Sequence, residues 1–235
     1  KLSHLVHSGE ESNPALGFRA IRISLAREDI FQTQLRAILR ASHHGQLRVM
    51  FPMVTSLEEL EGSLRHLETC KAQLKSEGTP YDDDIQVGVM IETPAAAMII
   101  DELAAKVDFV SIGTNDLIQY AMAVDRTNDL IACLYQPTHP AIIRLISQVT
   151  QRAHAAGTQV GVCGEMAGEP VMVPLLLGLG VDELSVAPPL VPRVKYLIRR
   201  LKLEEARDFA AKALKMSTSA EILQATQGLV RRLVP

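Results

Sequence analysis

The sequence is poor in aromatic residues and in cysteine. It has no tryptophan, and only 4% of its 235 residues are aromatic, so its core must be built mainly from Leu, Ile, Val, Ala and Met. Its three cysteines, Cys70, Cys133 and Cys163, are widely spaced and form no CxxC pair. An odd number of scattered cysteines argues against a disulfide framework and a zinc site, and it predicts a reducing, cytoplasmic environment.

Long apolar runs and strong net charge are also missing. No apolar segment reaches the roughly 18–20 residues that a membrane-spanning helix needs. The first dozen residues, for which we expect a loop, lack the apolar core of a signal peptide. The net charge is −3, from 24 basic and 27 acidic residues, with no basic stripe between aromatic residues. These features predict neither a membrane partner nor a nucleic-acid partner.

Short apolar runs alternate with amphipathic helical stripes along the chain. The predicted strands comprise residues 47–53, 87–91, 109–112, 159–163 and 183–186. Residues 17–23 form either a strand end or a tight turn, and residues 19–23 count as a further strand only in the first case. Strands that alternate with helices form parallel sheets. We therefore predict an α/β fold of about six βα units. The fold is either a doubly wound sheet or most of a TIM-type (β/α)8 barrel whose first two strands are absent. No glycine-rich nucleotide motif follows any of these strands.

Two of the apolar runs are followed by acidic residues. Glu92 comes directly after the run 87–91, and Asp116 comes soon after the run 109–112. Carboxyl ends of parallel strands lie at one edge of the sheet, where ligands bind. Two carboxylates there suit Mg²⁺, which also takes water and phosphate oxygens as ligands. Asp116 would equally suit a helix N-cap, and Glu92 the first turn of a helix. The spacing leaves both interpretations open.

Other polar residues near the strand ends suit an anionic substrate. Arg19 and Arg126 are candidates for bidentate binding of phosphate or carboxylate, and Asn115 could donate to a substrate oxygen. Surface ion pairs for the arginines and a turn for Asn115 are the structural alternatives. Cys163 ends an apolar run. A thiol with a pKa of about 8.5 is mostly protonated near neutrality and could give up a proton, although most buried cysteines are inert.

Seven segments in order resemble one known family. The resemblance is to the carboxyl-terminal, phosphoenolpyruvate-binding domain of enzyme I of the bacterial sugar phosphotransferase system, and it covers essentially the whole chain. The segments are NPALGFRAIR (13–22), LRVMFPM (47–53), GVMIETPAA (88–96), FVSIGTNDLIQY (109–120), AVDR (123–126), LYQPTHPA (134–141) and GVCGEMAG (161–168). The resemblance implies one barrel domain over residues 1–235, truncated at its amino terminus, that binds phosphoenolpyruvate and Mg²⁺ and forms a homodimer.

The resemblance also implies roles for particular residues. Glu92 and Asp116 match Mg²⁺ ligands, while Arg19, Asn115, Asp116 and Arg126 match substrate-binding positions. Cys163 matches the catalytic proton donor. The implied enzyme is a phosphoenolpyruvate–protein phosphotransferase at the head of sugar uptake. It moves the phosphoryl group to a histidine on its own amino-terminal domain and from there to a small carrier protein, and it releases pyruvate.

The chain departs from the family pattern at its start. Two arginine-bearing strands and the domain with the phosphorylated histidine do not occur in it, so we expect no full transfer by this chain alone. Three alternatives stay open. The parent could be a pyruvate phosphate dikinase or phosphoenolpyruvate synthase, or the nitrogen-regulatory paralogue of enzyme I. The chain itself could be a non-catalytic dimerisation module.

Overall fold

The computed structural model describes residue 11 and residues 13–233. Most of the loop expected in the first dozen residues lies outside that part. The chain divides into two compact units, and the boundary falls between Met90 and Ile91. The assignment of the whole chain to one domain stays a prediction.

Within its described residues, the first unit contains three helices and two strands. They are α1 (Ile21–Ala26), α2 (Glu28–Ser42), β1 (Arg48–Phe51), α3 (Leu57–Ser76) and β2 (Gln86–Ile91), of which β2 ends beyond the boundary. Strands β1 and β2 pair in parallel, with Val49 opposite Val87. Helix α3 begins where its sequence predicts, because the Ser56 side chain accepts a hydrogen bond from the Glu59 amide. Its buried leucines, among them Leu60 and Leu67, form the predicted stripe.

Of the two predictions for residues 17–23, the tight turn is confirmed and the strand is wrong. Residues 19–23 do not form a strand; a turn leads into α1 at Ile21. The Arg22 guanidinium donates hydrogen bonds to the carbonyl oxygens of Leu16 (2.8 Å) and Gly17 (3.1 Å), so the chain folds back on itself here. Ile21 is the buried residue of α1, whereas a strand in a sheet would bury alternate side chains. The number of βα units is accordingly five rather than six among the described residues.

The second unit contains the remaining strands. They are β3 (Phe109–Gly113), β4 (Gln159–Cys163) and β5 (Glu183–Leu184). Strand β3 pairs with β4 in parallel, and β4 pairs with β5 in parallel. Apolar side chains of β3 and β4, such as Ile112 and Val162, are fully buried, as expected for strands covered on both faces.

Nine helices accompany these strands in the described part of the second unit. They are α4 (Pro94–Met98), α5 (Ile100–Ala104), α6 (Thr114–Met122), α7 (Pro140–Ala155), α8 (Glu165–Gly168), α9 (Val173–Gly178), α10 (Val191–Ile198), α11 (Leu203–Ala213) and α12 (Ser219–Leu233). Short 3₁₀ helices cover Ala132–Leu134 and Pro188–Leu190. The alanine-rich segment after Pro94 forms two helices, because the backbone leaves helical geometry at Ile99 (φ −103°, ψ 28°).

The α/β class is confirmed. Among the described residues, the parallel sheet has five strands in the order β1-β2-β3-β4-β5, and these strands do not close into a barrel. Within the described residues, no helix combines the length and the apolar character needed to cross a membrane.

Candidate functional site

The carboxyl ends of β3 and β4 are joined directly. The last paired residues of the two strands are Gly113 and Cys163. Immediately beyond them, the buried hydroxyl of Thr114 donates a 2.7 Å hydrogen bond to the carbonyl oxygen of Cys163. The two strand ends, and the side chains that follow them, are therefore held in a fixed relation.

The thiol of Cys163 lies at this edge and is protonated near neutral pH. It donates a weak hydrogen bond to the carbonyl oxygen of Ile112, at 3.6 Å. Burial raises the pKa of Cys163, and the negative charge of Glu92 raises it further, while a hydrogen bond with Ser111 opposes them. A raised pKa preserves the neutral thiol, which is the form that can give up a proton.

Gly164 allows Asn115 to approach β4 closely. Its backbone has φ +90°, a region that residues with a side chain rarely adopt. A Cβ atom at this position would lie 2.6 Å from Thr114 Oγ1 and 2.8 Å from Asn115 Oδ1. In the space left free, Asn115 Oδ1 accepts a 3.0 Å hydrogen bond from the amide of Glu165. The bond uses the oxygen of the Asn115 amide, so its NH₂ group is the end that can donate to a ligand.

Arg126 is held at its backbone and at its side chain. The chain leaves α6 through Ala123, which is left-handed (φ 54°). The amide of Arg126 then donates to Gln119 Oε1 at 3.2 Å. Its guanidinium Nη1 donates to Glu165 Oε1 at 3.0 Å. Asn115 and Arg126, both predicted to bind substrate, thus contact the same residue, Glu165, which begins the helix after β4.

The far end of the Arg126 loop is also attached. Thr138, which is buried, lies with its hydroxyl 2.6 Å from that of Ser219, the first residue of α12. Between the two attachments, residues 127–130 are exposed, with Leu130 88% accessible.

Tyr135 is a member of this cluster that the sequence analysis missed. Its pKa is raised to about 12, first by burial and then by the negative charge of Glu165, with Arg126 opposing and Asp116 adding to the increase. Tyr135 is therefore a neutral phenol whose pKa is affected by three charged side chains, those of Glu165, Arg126 and Asp116. Tyr135 and Glu165 both occur in the segments that carry the family resemblance, but neither has a distinctive spacing of its own.

The two predicted metal ligands are not the capping residues of their helices. Thr93 caps α4 by accepting a hydrogen bond from the Ala96 amide, and Glu92 lies one residue before it, only 6% exposed. Gly113 is the N-cap of α6, and Asp116 lies in the first turn. The capping interpretation of Asp116 is therefore wrong, and so is the first-turn interpretation of Glu92.

A hard divalent cation fits this donor set. In the part of the chain that the structure describes, no three His, Cys, Asp or Glu side chains are grouped as a metal site. Mg²⁺ does not require such a group, because one or two carboxylates together with substrate oxygens and water complete its octahedron. Glu92 acts electrostatically on Cys163, and Asp116 acts on Tyr135, so both carboxylates are close to the cluster at the ends of β3 and β4.

Arg19 belongs to the first unit. It precedes α1, and its Nη1 donates a 3.4 Å hydrogen bond to the carbonyl oxygen of Ala15. The next residue, Ala20, has φ 53° and ψ −127°, which is a strained backbone for a residue with a side chain. The substrate-binding role of Arg19 stays a prediction.

Comparison with known proteins identifies relatives over most of the chain. A family model described as the PEP-binding domain of PEP-utilising enzymes matches residues 1–203. Proteins called phosphoenolpyruvate-protein phosphotransferase are 52% identical in Haemophilus influenzae (92% of this chain, 37% of the relative), 51% in Latilactobacillus sakei (90% and 37%) and 49% in Bacillus subtilis (91% and 38%). The chain therefore spans less than two fifths of the length of these relatives.

A solved structure has a similar fold. It is a citrate lyase from Burkholderia xenovorans, with a TM-score of 0.53, and the match covers 86% of this chain and 67% of the other. At 14% identity the likeness concerns the fold alone. This likeness is consistent with an incomplete (β/α) barrel, of which the open sheet forms a part.

Proposed function

Because the chain belongs to the family of PEP-binding domains of PEP-utilising enzymes, we propose that it is the phosphoenolpyruvate-binding part of a phosphoenolpyruvate–protein phosphotransferase. The whole protein would transfer the phosphoryl group to one of its own histidines and release pyruvate. Relatives with this name and about 50% identity support the proposal. The observation that carries it is the convergence of Asn115, Arg126 and Cys163 at the ends of β3 and β4.

The roles of the side chains follow from their chemistry. Arg126 binds the phosphoryl and carboxylate oxygens, and the NH₂ group of Asn115 donates to a further oxygen. The family resemblance assigns a substrate-binding role to Arg19 as well. Glu92 and Asp116 hold Mg²⁺. When bound, the ion would neutralise negative charge on the phosphoryl group and on the departing enolate.

Cys163 would complete the reaction. The leaving enolate becomes pyruvate when its methylene carbon receives a proton. Burial raises the pKa of the Cys163 thiol and so preserves its protonated form, which can supply that proton. Its position directly after β4 puts it at the same edge as Asn115 and Arg126.

The wider assignments rest on the resemblance and the relatives. The phosphorylated histidine would lie on the protein's own amino-terminal domain, and a small carrier protein would receive the phosphoryl group from it. Assembly as a homodimer and a cytoplasmic location belong to the same proposal.

Calorimetric titration of phosphoenolpyruvate into this chain, with and without Mg²⁺, tests the proposal. We expect saturable binding that is lost when the metal is chelated. A Glu92→Gln variant should lose the Mg²⁺-dependent binding of phosphoenolpyruvate, whereas Glu169→Gln, an exposed charge change, should retain it. A folded chain that shows no binding at millimolar ligand would contradict the proposal. ATP-dependent formation of phosphoenolpyruvate from pyruvate by the full-length protein would instead identify a dikinase or synthase.

A further inference from the structure

Glu165 contacts two of the proposed substrate-binding residues at once. Its backbone amide donates to Asn115 Oδ1 at 3.0 Å, and its carboxylate accepts from Arg126 Nη1 at 3.0 Å. Asn115 follows β3, and Arg126 lies in the loop after α6. A single residue after β4 therefore connects two segments that approach the site separately.

The ion pair has little value as a stabilising contact. The Arg126 side chain is 39% exposed and that of Glu165 is 73% exposed. Exposed ion pairs contribute little to the stability of a fold, because water screens the charges and two long side chains lose freedom. The location of this pair, beside the Cys163 strand end, is therefore more informative than its strength.

The effect of the Glu165 contact is to order the Arg126 side chain. An arginine side chain has many rotamers, and fixing them on binding reduces the affinity for a ligand. The contact with Glu165 uses Nη1, so other N–H groups of the guanidinium can bind phosphate oxygens. Because the Glu165 amide is bonded to Asn115, the carboxylate itself projects from a fixed point.

We propose that Glu165 is a positioning residue that holds Arg126 in its binding orientation before substrate arrives, through the hydrogen bond to Nη1. The inference rests on the proposed phosphoenolpyruvate-binding function. Glu165 does not touch the reacting atoms; it acts through Arg126.

Substrate kinetics of the full-length protein test this role. Glu165→Ala removes the acceptor, and we expect the KM for phosphoenolpyruvate to rise about 5- to 10-fold, with kcat changed less than about 2-fold. Glu165→Gln retains an oxygen that can accept from Nη1, so its KM should stay within about 2-fold of that of the unchanged protein. Glu169→Ala, in the same segment, is the matched control for loss of an exposed negative charge.

A second measurement is independent of substrate. NMR relaxation of the Arg126 guanidinium should show an ordered side chain in the unchanged protein and in Glu165→Gln, and a more mobile one in Glu165→Ala. An Arg126 that is equally ordered in Glu165→Ala would overturn the inference. An unchanged or lower KM in Glu165→Ala, or equal defects in the Ala and Gln variants, would also overturn it. If the unchanged protein binds no phosphoenolpyruvate, the proposed function fails, while the NMR comparison still decides whether Glu165 orders Arg126.

Discussion

The hydroxyl of Thr114 donates a 2.7 Å hydrogen bond to the carbonyl oxygen of Cys163, across the ends of two neighbouring strands. Thr114 is fully buried, so no water can replace this donor. The bond fixes the position of the Cys163 backbone relative to the segment that carries Asn115 and Asp116.

Thr114→Val should destabilise the fold. Valine has nearly the same shape but no donor, so the carbonyl oxygen of Cys163 becomes unsatisfied, at a cost of about 1–3 kcal/mol in unfolding free energy. Thr150→Val is the control. Thr150 is also buried, but its hydroxyl donates to Ile146, a helical carbonyl that keeps a backbone partner. Urea unfolding of both variants measures the difference, and equal losses would contradict the prediction.

Gly164→Ala should be more harmful than replacement of another glycine with positive φ. Gly157 also has positive φ (81°), but no atom lies within 4 Å of the place where its Cβ would be. Gly157→Ala should cost about 1–2 kcal/mol from the left-handed backbone alone. Gly164→Ala adds contacts with Thr114 and Asn115, so we expect at least about 1 kcal/mol more, and weaker phosphoenolpyruvate binding. Thermal unfolding and calorimetry would show it; similar effects of both variants would refute the steric argument.

The three cysteines should react with iodoacetamide in a definite order. Cys133 is exposed, Cys163 is half-buried and Cys70 is fully buried. At pH 7.5 we expect Cys133 to react first and Cys70 last. Because burial raises the pKa of Cys163, its reaction should accelerate only above the pH range of a free thiol, whose pKa is about 8.5. Peptide mass spectrometry over a pH series measures the rates, and fast labelling of Cys163 at pH 7 would be inconsistent with a protonated thiol.

Cys163→Ala should separate binding from proton transfer. Loss of a positioned general acid should slow pyruvate formation by the full-length protein about 10²- to 10⁴-fold, while phosphoenolpyruvate still binds. Cys133→Ala should leave both unchanged, because Cys133 lies in the exposed loop. Pyruvate formation at the normal rate in Cys163→Ala would rule out the proton-donor role.

The ion pair between Asp101 and Arg152 should make stability depend on acid pH. Arg152 Nε donates to Asp101 Oδ1 at 2.8 Å, which lowers the pKa of Asp101 in the folded state. A lowered pKa gives stability that is complete above the unfolded value of about 3.9 and is lost as the pH falls through the folded value. Asp101→Asn should therefore lower the Tm at pH 7, and the difference from the unchanged chain should disappear as the pH falls below the lowered pKa of Asp101.

The exposed loop aspartate Asp84 provides the control for that comparison. Asp84→Asn should have nearly the same Tm as the unchanged chain at every pH. A constant gap between Asp101→Asn and the unchanged chain, from pH 7 to pH 2, would show that the effect is not electrostatic.

The strands could be predicted from the sequence because buried parallel strands are continuous apolar runs. The predicted strand 159–163 coincides with β4 (Gln159–Cys163), and the run 109–112 is extended in β3 by Gly113 alone. The segment 19–23 is ambiguous because its short, mixed pattern fits a strand end and a tight turn alike. The bonds from Arg22 to Leu16 and Gly17, which decide its structure, leave no periodic signal.

The candidate site could be predicted only in part. Strand ends indicate where Glu92, Asp116 and Cys163 lie, because polar residues after apolar runs mark the edge of a sheet. The partners of Arg126 could not be predicted, since the contact with Glu165 depends on the path of a long loop and on the turn at Ala123. The raised pKa of Tyr135 likewise results from burial, which no local sequence pattern predicts.

The hydrogen bond between Thr138 and Ser219 couples the Arg126 loop to the last helix of the chain. Local opening of either segment breaks this hydrogen bond and leaves the other hydroxyl without its partner. The two segments therefore open partly together, and hydrogen exchange of their amides is coupled. A ligand that orders the loop will therefore also slow hydrogen exchange at the start of α12. The carboxyl-terminal helix thus becomes a reporter of site occupancy, although it contributes no residue to the site.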